Sequence, residues 1–527
     1  MASGNTWAYP FSTDNEVKSV LADNRRAFLM GENELAWCYR VQVGLPGALD
    51  AAGLRQLQLE RLNATLQHAF NNSRFYRQHL PVDHLDSLEA LAKLPLTDPA
   101  VLGECFAGLL CVSPAAVGRI VSLPTSGTTG KAKRVAFSPA DHQQIVDYLA
   151  AGMRMLTGQQ SMLSRQCGVP SDPTGETIAV LYPCQTPASL GALICEAVTR
   201  IGAQALAQGI PESFPALAAA FQRHRVSAAV GFPQHLLAFA RWCEHHGIEL
   251  DLRRLLLSAD NAAGSLCREL RRIWDAEVFV HYGMTEMGYG GAVECPCHHG
   301  LHIRETDLLV EVVDPQSGRT LPDGQWGELV FTTLGCQAMP LVRYRSGDRV
   351  RLLPGKCGCG SILKRIDGPA GRLGDTAGLQ GAHINLPELE ECIFGLSGVL
   401  DFEVAFDAAN AALRLRVIAL PGSTLGEQSL SQALRPLFSS DVAAPAAAMG
   451  APSNVQFRHC SSRAAMTGFL PDRRIHSIQI HLEVADDFFP CYAGKRFVKR
   501  FDSGGVPNQC PESAPCSPEP KKKGCPK

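Results

Sequence analysis

One short segment of the chain consists almost entirely of glycine, serine and threonine and is followed by lysines. Residues 122–135 read SLPTSGTTGKAKRV. Glycines let backbone N–H groups approach an anion, hydroxyl groups donate hydrogen bonds, and Lys131 or Lys133 would balance negative charge. The Walker pattern GxxxxGK[ST] cannot be fitted, and a flexible surface turn is the alternative. From residue type alone both interpretations stay open, and the candidate loop residues are Thr125, Ser126, Gly127, Thr128, Thr129, Gly130 and Lys131.

Cysteine and histidine cluster in two other segments. Residues 294–302 read ECPCHHGLH, and residues 357–360 read CGCG. Zinc prefers four tetrahedral sulfur or nitrogen ligands, and four protein ligands would leave no open position, so such a site would be structural. The spacing is not that of a zinc finger, and free thiols beside surface histidines are the alternative. The donors available are Cys295, Cys297, His298, His299, His302, Cys357 and Cys359.

Alternating strands and helices must position these segments. Short apolar runs at 177–182, 228–232 and 254–258 alternate with helical stretches at 235–246 and 264–275. This alternation predicts α/β layers with parallel strands, preceded by a mostly helical region that includes residues 54–69. A small α+β unit should follow, with strands at 402–406, 412–418 and near 455 and 478, and helices near 387 and 430–438.

The composition is that of a large soluble enzyme. Of 527 residues, 46% are hydrophobic, and 49 Lys+Arg oppose 51 Asp+Glu, which gives a net charge of −2. This balance predicts no general affinity for nucleic acid or anionic membranes. The N-terminus resembles no secretory signal, and no apolar run is long enough to span a membrane. We therefore expect a cytoplasmic protein, in which the clustered cysteines bind metal more often than they form disulfides.

Four further strings follow the glycine-rich loop in order. They are YGMTE at 282–286, YRSGD at 344–348, GR at 371–372 and AGK at 493–495. Together they resemble the signatures of the adenylate-forming superfamily, which includes acyl-CoA synthetases, peptide-synthetase adenylation domains and luciferases. Within it, SRFYRQHL around Phe75, LPLTDP at 94–99 and GAHINLPELEE at 381–391 resemble the phenylacetate–CoA ligase branch.

The resemblance implies two half-reactions. A carboxylate attacks the α-phosphorus of ATP to give acyl-AMP and pyrophosphate, and the thiol of coenzyme A then displaces AMP. Such transfers depend mainly on positioning and charge stabilisation. The resemblance implies that residues 125–131 hold the β- and γ-phosphates. The other implied roles are Mg²⁺ binding for Glu286, α-phosphate contact for Thr285, adenine stacking for Tyr282, ribose binding for Asp348, and charge stabilisation between carboxylate and α-phosphate for Lys495. Lys499 is close enough in sequence to compete with Lys495.

The resemblance also implies the division into domains. An adenylation domain over residues 1–370 would be joined by a hinge at 371–381 to a small mobile cap at 382–502, and the Cys/Pro/Lys-rich tail at 503–527 should be disordered. Arg372 opens the hinge beside the nucleotide. Gly374 and Asp375 stand where the branch usually has an Asp pair, so it is in doubt whether one carboxylate locks the hinge.

The resemblance also implies which residues bind zinc and which form the acid pocket. Some members of the branch have ECxxxxGLH followed by CxCG, which selects Cys295, His302, Cys357 and Cys359 for zinc. The acid pocket should be formed by residues 181–190, 231–235 and 258–261, but SAD at 258–260 replaces the Gly-Gly-Glu usual in the branch. We therefore expect an aryl or other small hydrophobic acid.

The alternatives to a coenzyme A ligase are an adenylating enzyme that loads a carrier protein and a non-catalytic nucleotide-binding homologue. The branch also implies a homodimer.

Overall fold

The computed structural model describes residues 50–123, 132–157, 175–373, 377–379, 382–384, 386–407, 412–438, 477–484 and 499–501. The α-helices of these residues, numbered in chain order, are α1 Ala51–Asn72, α2 Arg74–His79, α3 Val101–Glu104, α4 Phe106–Leu109, α5 Pro139–Met153, α6 Leu190–Arg200, α7 Phe214–His224, α8 Pro233–His245, α9 Gly264–Trp274, α10 Leu386–Phe394 and α11 Glu427–Phe438. Short 3-10 turns occur at Leu88–Lys93, Pro114–Ala116, Arg154–Leu156 and Thr285–Met287. No helix of the described ranges is both long enough and apolar enough to cross a bilayer.

The strands of the same residues are β1 Arg119–Leu123, β2 Lys133–Phe137, β3 Thr177–Leu181, β4 Gln204–Ala207, β5 Val226–Gly231, β6 Arg254–Leu257, β7 Glu277–Tyr282, β8 Ala292–Glu294, β9 Leu301–Ile303, β10 Leu308–Val313, β11 Gly327–Thr333, β12 Tyr344–Leu353, β13 Arg365–Asp367, β14 Ala377–Leu379, β15 Ala382–Ile384, β16 Val399–Asp407, β17 Ala412–Ala419, β18 Ser477–Val484 and β19 Lys499–Phe501. β1 and β2 form an antiparallel pair on either side of the glycine-rich segment, which itself lies outside the described residues.

An eleven-stranded sheet in the order β10-β11-β12-β13-β9-β8-β7-β6-β5-β3-β4 forms the centre of the described fold. The strands from β7 to β4 in this order are parallel to one another, and those from β10 to β7 pair antiparallel. β3 and β5 are buried along their whole length, as expected for parallel strands covered by helices on both faces. The predicted α/β class with parallel strands is therefore confirmed.

The carboxyl ends of the parallel strands place several loops on one edge of this sheet. β6 ends at Leu257, directly before the SADN loop, and β7 ends at Tyr282, the first residue of YGMTE. Crevices at this edge of open α/β sheets are the usual ligand sites. The topology therefore brings together motifs that are separated in the sequence.

A second sheet, in the order β18-β17-β16-β19, follows the central one in the chain. β16 and β17, which contain the strands predicted at 402–406 and 412–418, form an antiparallel hairpin, and β18 and β19 add parallel to its two sides. The helices predicted near 387 and 430–438 are α10 and α11. The strand predicted near Val455, the hinge residues Gly374 and Asp375, and the tail at 503–527 lie outside the described residues.

The first elements of the C-terminal unit pack against helices of the central domain. Leu389 and Phe394 of α10 are fully buried and share one apolar core with Leu237 of α8 and Leu266 of α9. The guanidinium of Arg241, on α8, donates to the carbonyl oxygen of Phe394 at 2.7 Å and also to that of Val399. The two units are thus joined by apolar packing and by a buried arginine.

Candidate active site

A cleft of about 970 Å³ opens at the carboxyl edge of the central sheet. The loops after β6 and β7, part of β12, the segment 367–373 and the start of α10 line it. Its walls carry groups of both charges, among them Lys133, Asp260, Asp348, Arg372 and Glu390. A cleft of this size and polarity suits a nucleotide with a second small substrate.

The YGMTE string turns sharply at the end of β7 and directs an acid inward. The 3-10 turn Thr285–Met287 ends at Gly288, whose φ of +71° favours glycine. The turn is fixed by Arg304, which donates from Nη2 to the carbonyl oxygen of Met287 at 3.0 Å. Glu286 is consequently buried, with 7% of its surface exposed, while Thr285 is half-buried.

Glu286 lies between a phenol and an ammonium group. The hydroxyl of Tyr344 donates to Oε1 of Glu286 at 3.3 Å, and Nζ of Lys133 is 3.9 Å from the same oxygen. Burial lowers the pKa of Lys133, although Glu286 partly compensates for this effect. The sequence left Lys131 and Lys133 as alternatives; the described residues include only Lys133, and they place it at the cleft.

Asp348 is held by two donors, each on its own carboxylate oxygen. The hydroxyl of Tyr282 donates to Oδ2 at 2.7 Å, and Nε of Arg372 is 3.0 Å from Oδ1. The backbone supports this arrangement, since Asp348 and Arg372 form an isolated antiparallel bridge. Burial, with the neighbouring Asp348 as the second cause, raises the pKa of Tyr282 well above its usual value, so the phenol stays a donor. Three residues from three sequence motifs therefore form one group.

A buried histidine supports the loop after β6. His281 receives contacts at both ring nitrogens: Oγ of Ser258 is 2.7 Å from Nδ1, and the hydroxyl of Tyr148 is 3.1 Å from Nε2. Burial lowers the pKa of His281 to about 4, so the ring is neutral near pH 7 and can donate from one nitrogen and accept at the other. Tyr182 donates to the carbonyl oxygen of Ser258 at 3.0 Å.

The same loop shows how this chain departs from the Gly-Gly-Glu pattern. Ala259 has a φ of +71°, a left-handed conformation that costs a residue other than glycine roughly 1 kcal/mol or more. Nε2 of Gln234 donates to Oδ2 of Asp260 at 2.8 Å. Of the three stretches predicted to form the acid pocket, residues 259–261 line the cleft, while Tyr182 and Phe232 stack edge to face behind it with ring centroids 4.8 Å apart.

The two cysteine-containing segments meet because β13 pairs with both β12 and β9. The ligand atoms of Cys295, His302, Cys357 and Cys359 all lie within 4.8 Å of one another. The Sγ atoms of Cys295 and Cys357 are 3.6 Å apart, and Nε2 of His302 is 3.4 Å from Sγ of Cys359. The pKa of Cys359 is lowered to about 3, mainly because its sulfur accepts a hydrogen bond from the Cys295 thiol.

This donor set fits a tetrahedral S₃N metal site. Nδ1 of His302 is 3.2 Å from the carbonyl oxygen of Leu363, and this contact orients the ring with Nε2 toward the three sulfurs. The remaining donors are not part of this group of four: Cys297 is exposed, although its thiol contacts Cys295 and Cys357, His298 contacts Glu294, and His299 contacts Arg365. The geometry thus selects the four residues that the family resemblance had selected.

The sequence is also similar to those of known proteins. Residues 116–339 match the family model described as AMP-binding enzyme. The phenylacetate–coenzyme A ligase of Pseudomonas putida is 32% identical over 356 residues, which cover 64% of this chain and 75% of that protein. The chain belongs to the phenylacetate–coenzyme A ligase family. It is therefore an AMP-forming acid–coenzyme A ligase, and the resemblance found in the sequence is confirmed.

A second relative and a solved structure are also similar to this chain. The phenylacetate–coenzyme A ligase of Escherichia coli (strain K12) is 30% identical to this ligase over 349 residues, covering 64% of this chain and 75% of the other. The crystal structure of 2-hydroxyisobutyryl-CoA ligase in the postadenylation state superposes with a TM-score of 0.63 and 20% identity, over 74% of this chain and 85% of that one. This structural likeness shows the shared fold.

The described part of the ligase places Tyr282, Asp348 and Arg372 in one cleft, with Glu286 beside the cleft residue Lys133, and gathers the four zinc candidates in a second cluster. Lys495 and the predicted phosphate-loop residues 125–131 lie outside the described residues. Sequence reasoning missed Tyr344 and His281 as parts of the site. The motifs could have pointed to both, because Tyr344 is the first residue of YRSGD and His281 directly precedes YGMTE. No sequence signal points to Tyr148.

Proposed function

We propose that this ligase activates an aryl or other small hydrophobic carboxylic acid as acyl-AMP and transfers the acyl group to coenzyme A, releasing AMP and pyrophosphate. One observation carries the proposal: Asp348, paired with Arg372, lines the same cleft as Lys133, and Glu286 lies directly behind Lys133, 3.9 Å from its ammonium group. The curated relatives named above act on phenylacetate. In this ligase SAD replaces the usual Gly-Gly-Glu at 258–260, and the backbone of Ala259 is strained. Whether phenylacetate is also its substrate must therefore be decided by experiment.

The proposed roles follow from the chemistry of each side chain. Asp348, oriented by Tyr282 and Arg372, would accept hydrogen bonds from the ribose hydroxyls. Lys133 would neutralise phosphate charge at the entrance to the glycine-rich loop, and Thr285 would contact the α-phosphate. Lys495, with Lys499 as the alternative, would stabilise charge between the acid and the α-phosphorus.

A magnesium ion bound with ATP would neutralise charge on the phosphate oxygens. Glu286 fits that ion because it offers a buried carboxylate next to Lys133, a residue that lines the cleft, and Lys133 and Tyr344 hold this carboxylate in place. Pyrophosphate leaves once the acid has displaced it, and coenzyme A then takes the acyl group. The homodimer and the cytoplasmic location that the sequence suggested stay predictions.

The deciding experiment is ATP–pyrophosphate exchange with a panel of acids, run with and without coenzyme A. We expect exchange with at least one aryl or small hydrophobic acid, and faster AMP release when coenzyme A is present. AMP release that ignores coenzyme A would favour the carrier-loading alternative. A chain that binds ATP but exchanges pyrophosphate with no acid would favour the non-catalytic alternative.

We also propose that Cys295, His302, Cys357 and Cys359 hold a structural zinc ion. Their four donor atoms are close together and three of the residues are buried. Four protein ligands would complete a tetrahedral zinc shell, as in structural sites. The ion would tie the turn after β12 to the loop after β8. Because Leu301 and residues 298–300 of this segment also line the cleft, zinc would stiffen one cleft wall.

The zinc proposal gives a direct prediction. Cys359→Ser should lower the zinc content from about one per chain to a small fraction of that value and should lower the melting temperature, because a structural zinc contributes folding free energy. Metal analysis and calorimetry measure both. Cys297→Ser is the matched control: the Cys297 thiol contacts Cys295 and Cys357 but is exposed and is not one of the four clustered donors, so its loss should leave the zinc content unchanged. A zinc-free wild-type protein with full activity would contradict the proposal.

A further inference from the structure

The first helix of the C-terminal unit reaches the wall of the cleft. Glu390 of α10 is fully buried and lines the cleft together with Asn261, which belongs to the loop after β6. Nδ2 of Asn261 donates to Oε2 of Glu390 at 2.6 Å. A hydrogen bond to a carboxylate in a buried setting is stronger than one between neutral groups. One side-chain contact therefore joins the C-terminal unit directly to a cleft-lining loop.

The loop is held from both sides. On one side, Gln234 of α8 donates to Asp260 at 2.8 Å. On the other side, Glu390 accepts from Asn261. Ala259, directly before these two residues, keeps a left-handed backbone that is unfavourable for alanine and persists only when its surroundings enforce it. The conformation of this loop therefore depends on the side chains that hold Asp260 and Asn261.

Helix α10 is itself firmly docked, so Glu390 has a defined position. The carboxylate of the adjacent Glu391 lies at the N-terminus of α9, where Oε2 accepts from the backbone N–H of Ser265 at 2.8 Å and Oε1 is 2.7 Å from Nη2 of Arg268. Burial alone would raise the pKa of Glu391, but these two donors outweigh burial and lower it. Arg241 holds the other end of α10 through the carbonyl oxygen of Phe394.

We propose that Asn261 and Glu390 are a positioning pair, through which docking of α10 sets the loop 258–261 for binding at the cleft. The proposal rests on the proposed function only in taking the cleft as the nucleotide and acid site. It makes α10 docking and ligand binding thermodynamically linked, so that each strengthens the other by the same factor. Neither residue is proposed to touch the reacting atoms.

The test exchanges the donor and the acceptor. Asn261→Asp preserves the shape but places a carboxylate against Glu390, and two carboxylates at this distance repel each other. We expect the affinity for a fluorescent ATP analogue to fall about tenfold, with the KM for ATP rising more than kcat falls. Adding Glu390→Gln supplies an amide donor to the new carboxylate, and this double variant should recover to within about threefold of wild type.

Controls separate positioning from simpler explanations. Arg268→Gln removes an exposed ion pair at the same docking surface without touching the loop, and the affinity should stay within about twofold of wild type. If Asn261 contacts the ligand itself, the double variant will bind as weakly as Asn261→Asp, which overturns the proposal. Wild-type affinity in Asn261→Asp overturns it as well.

Two further measurements keep the result interpretable. Should Asn261→Asp fold poorly, Asn261→Ala and Glu390→Gln, singly and together, give the coupling through a double-mutant cycle, and additive effects would overturn the pair. Nucleotide affinity is read without turnover. Absence of pyrophosphate exchange in the wild-type protein would therefore count against the proposed function, while the affinity series would still decide the positioning pair.

Discussion

Glu286→Gln is expected to reduce the rate of acyl-AMP formation about 100-fold or more, the scale of losing one preorganised electrostatic group in an active site. The substitution keeps the side-chain volume and an oxygen that can accept from Tyr344, so the fold should survive. It removes the charge that faces Lys133 at 3.9 Å and the carboxylate proposed to bind magnesium. The measurement is single-turnover acyl-AMP formation as a function of Mg²⁺ concentration.

The Mg²⁺ dependence distinguishes this role from a structural one. The variant should need a higher Mg²⁺ concentration for half-maximal rate, because a carboxylate is the oxygen ligand that Mg²⁺ prefers. Tyr344→Phe is the matched control: it removes only the hydrogen bond to Glu286, and the rate should fall about two- to tenfold. A Glu286→Gln enzyme with the wild-type rate and Mg²⁺ dependence would refute the assignment.

The parts of the site that could be predicted are those encoded by contiguous strings. YGMTE and YRSGD identify Glu286 and Asp348 because each motif fixes the spacing of its own residues. The pairing of Tyr282 with Asp348 spans 66 residues and depends on the order of strands in the central sheet. Local pattern carries no information about such an order, and only the family resemblance related these motifs to each other.

The zinc candidates illustrate the same limit. Seven donors in two segments left several sets of four, and residue type alone could not choose among them. In the structure β13 pairs with both β12 and β9, and this register brings Cys357 and Cys359 to Cys295 and His302 while His298 and His299 contact Glu294 and Arg365. The selection is made by strand pairing, a tertiary property.

The contacts of α10 were beyond prediction for a further reason. The sequence predicts its position near Pro387, and the helix runs from Leu386 to Phe394. Nothing in its own amphipathic pattern shows that Glu390 and Glu391 would face Asn261 and Ser265, because their partners precede them by more than 120 residues. Burial of a glutamate is costly without a partner, so such positions become meaningful only once the partner is known.

Asp348→Asn should weaken nucleotide binding about 100-fold and should abolish the preference for ribose over deoxyribose. In the wild-type protein each carboxylate oxygen already faces a donor, Tyr282 or Arg372. An asparagine presents one oxygen and one amide group, so one of these donors would face another donor, and the guanidinium would lose its counter-charge. The carboxylate that we propose accepts from the ribose hydroxyls would be lost at the same time.

The comparison of AMP with 2′-deoxy-AMP, by calorimetry or fluorescence competition, makes this test specific. The wild-type protein should bind AMP more tightly than the deoxynucleotide, and the Asp348→Asn variant should bind both equally weakly. Tyr282→Phe serves as the control, since it removes one donor but keeps the carboxylate, and should retain the preference with an affinity loss of about two- to tenfold. If Asp348→Asn weakens both nucleotides but still prefers AMP, Asp348 organises Tyr282 and Arg372 without contacting the ribose.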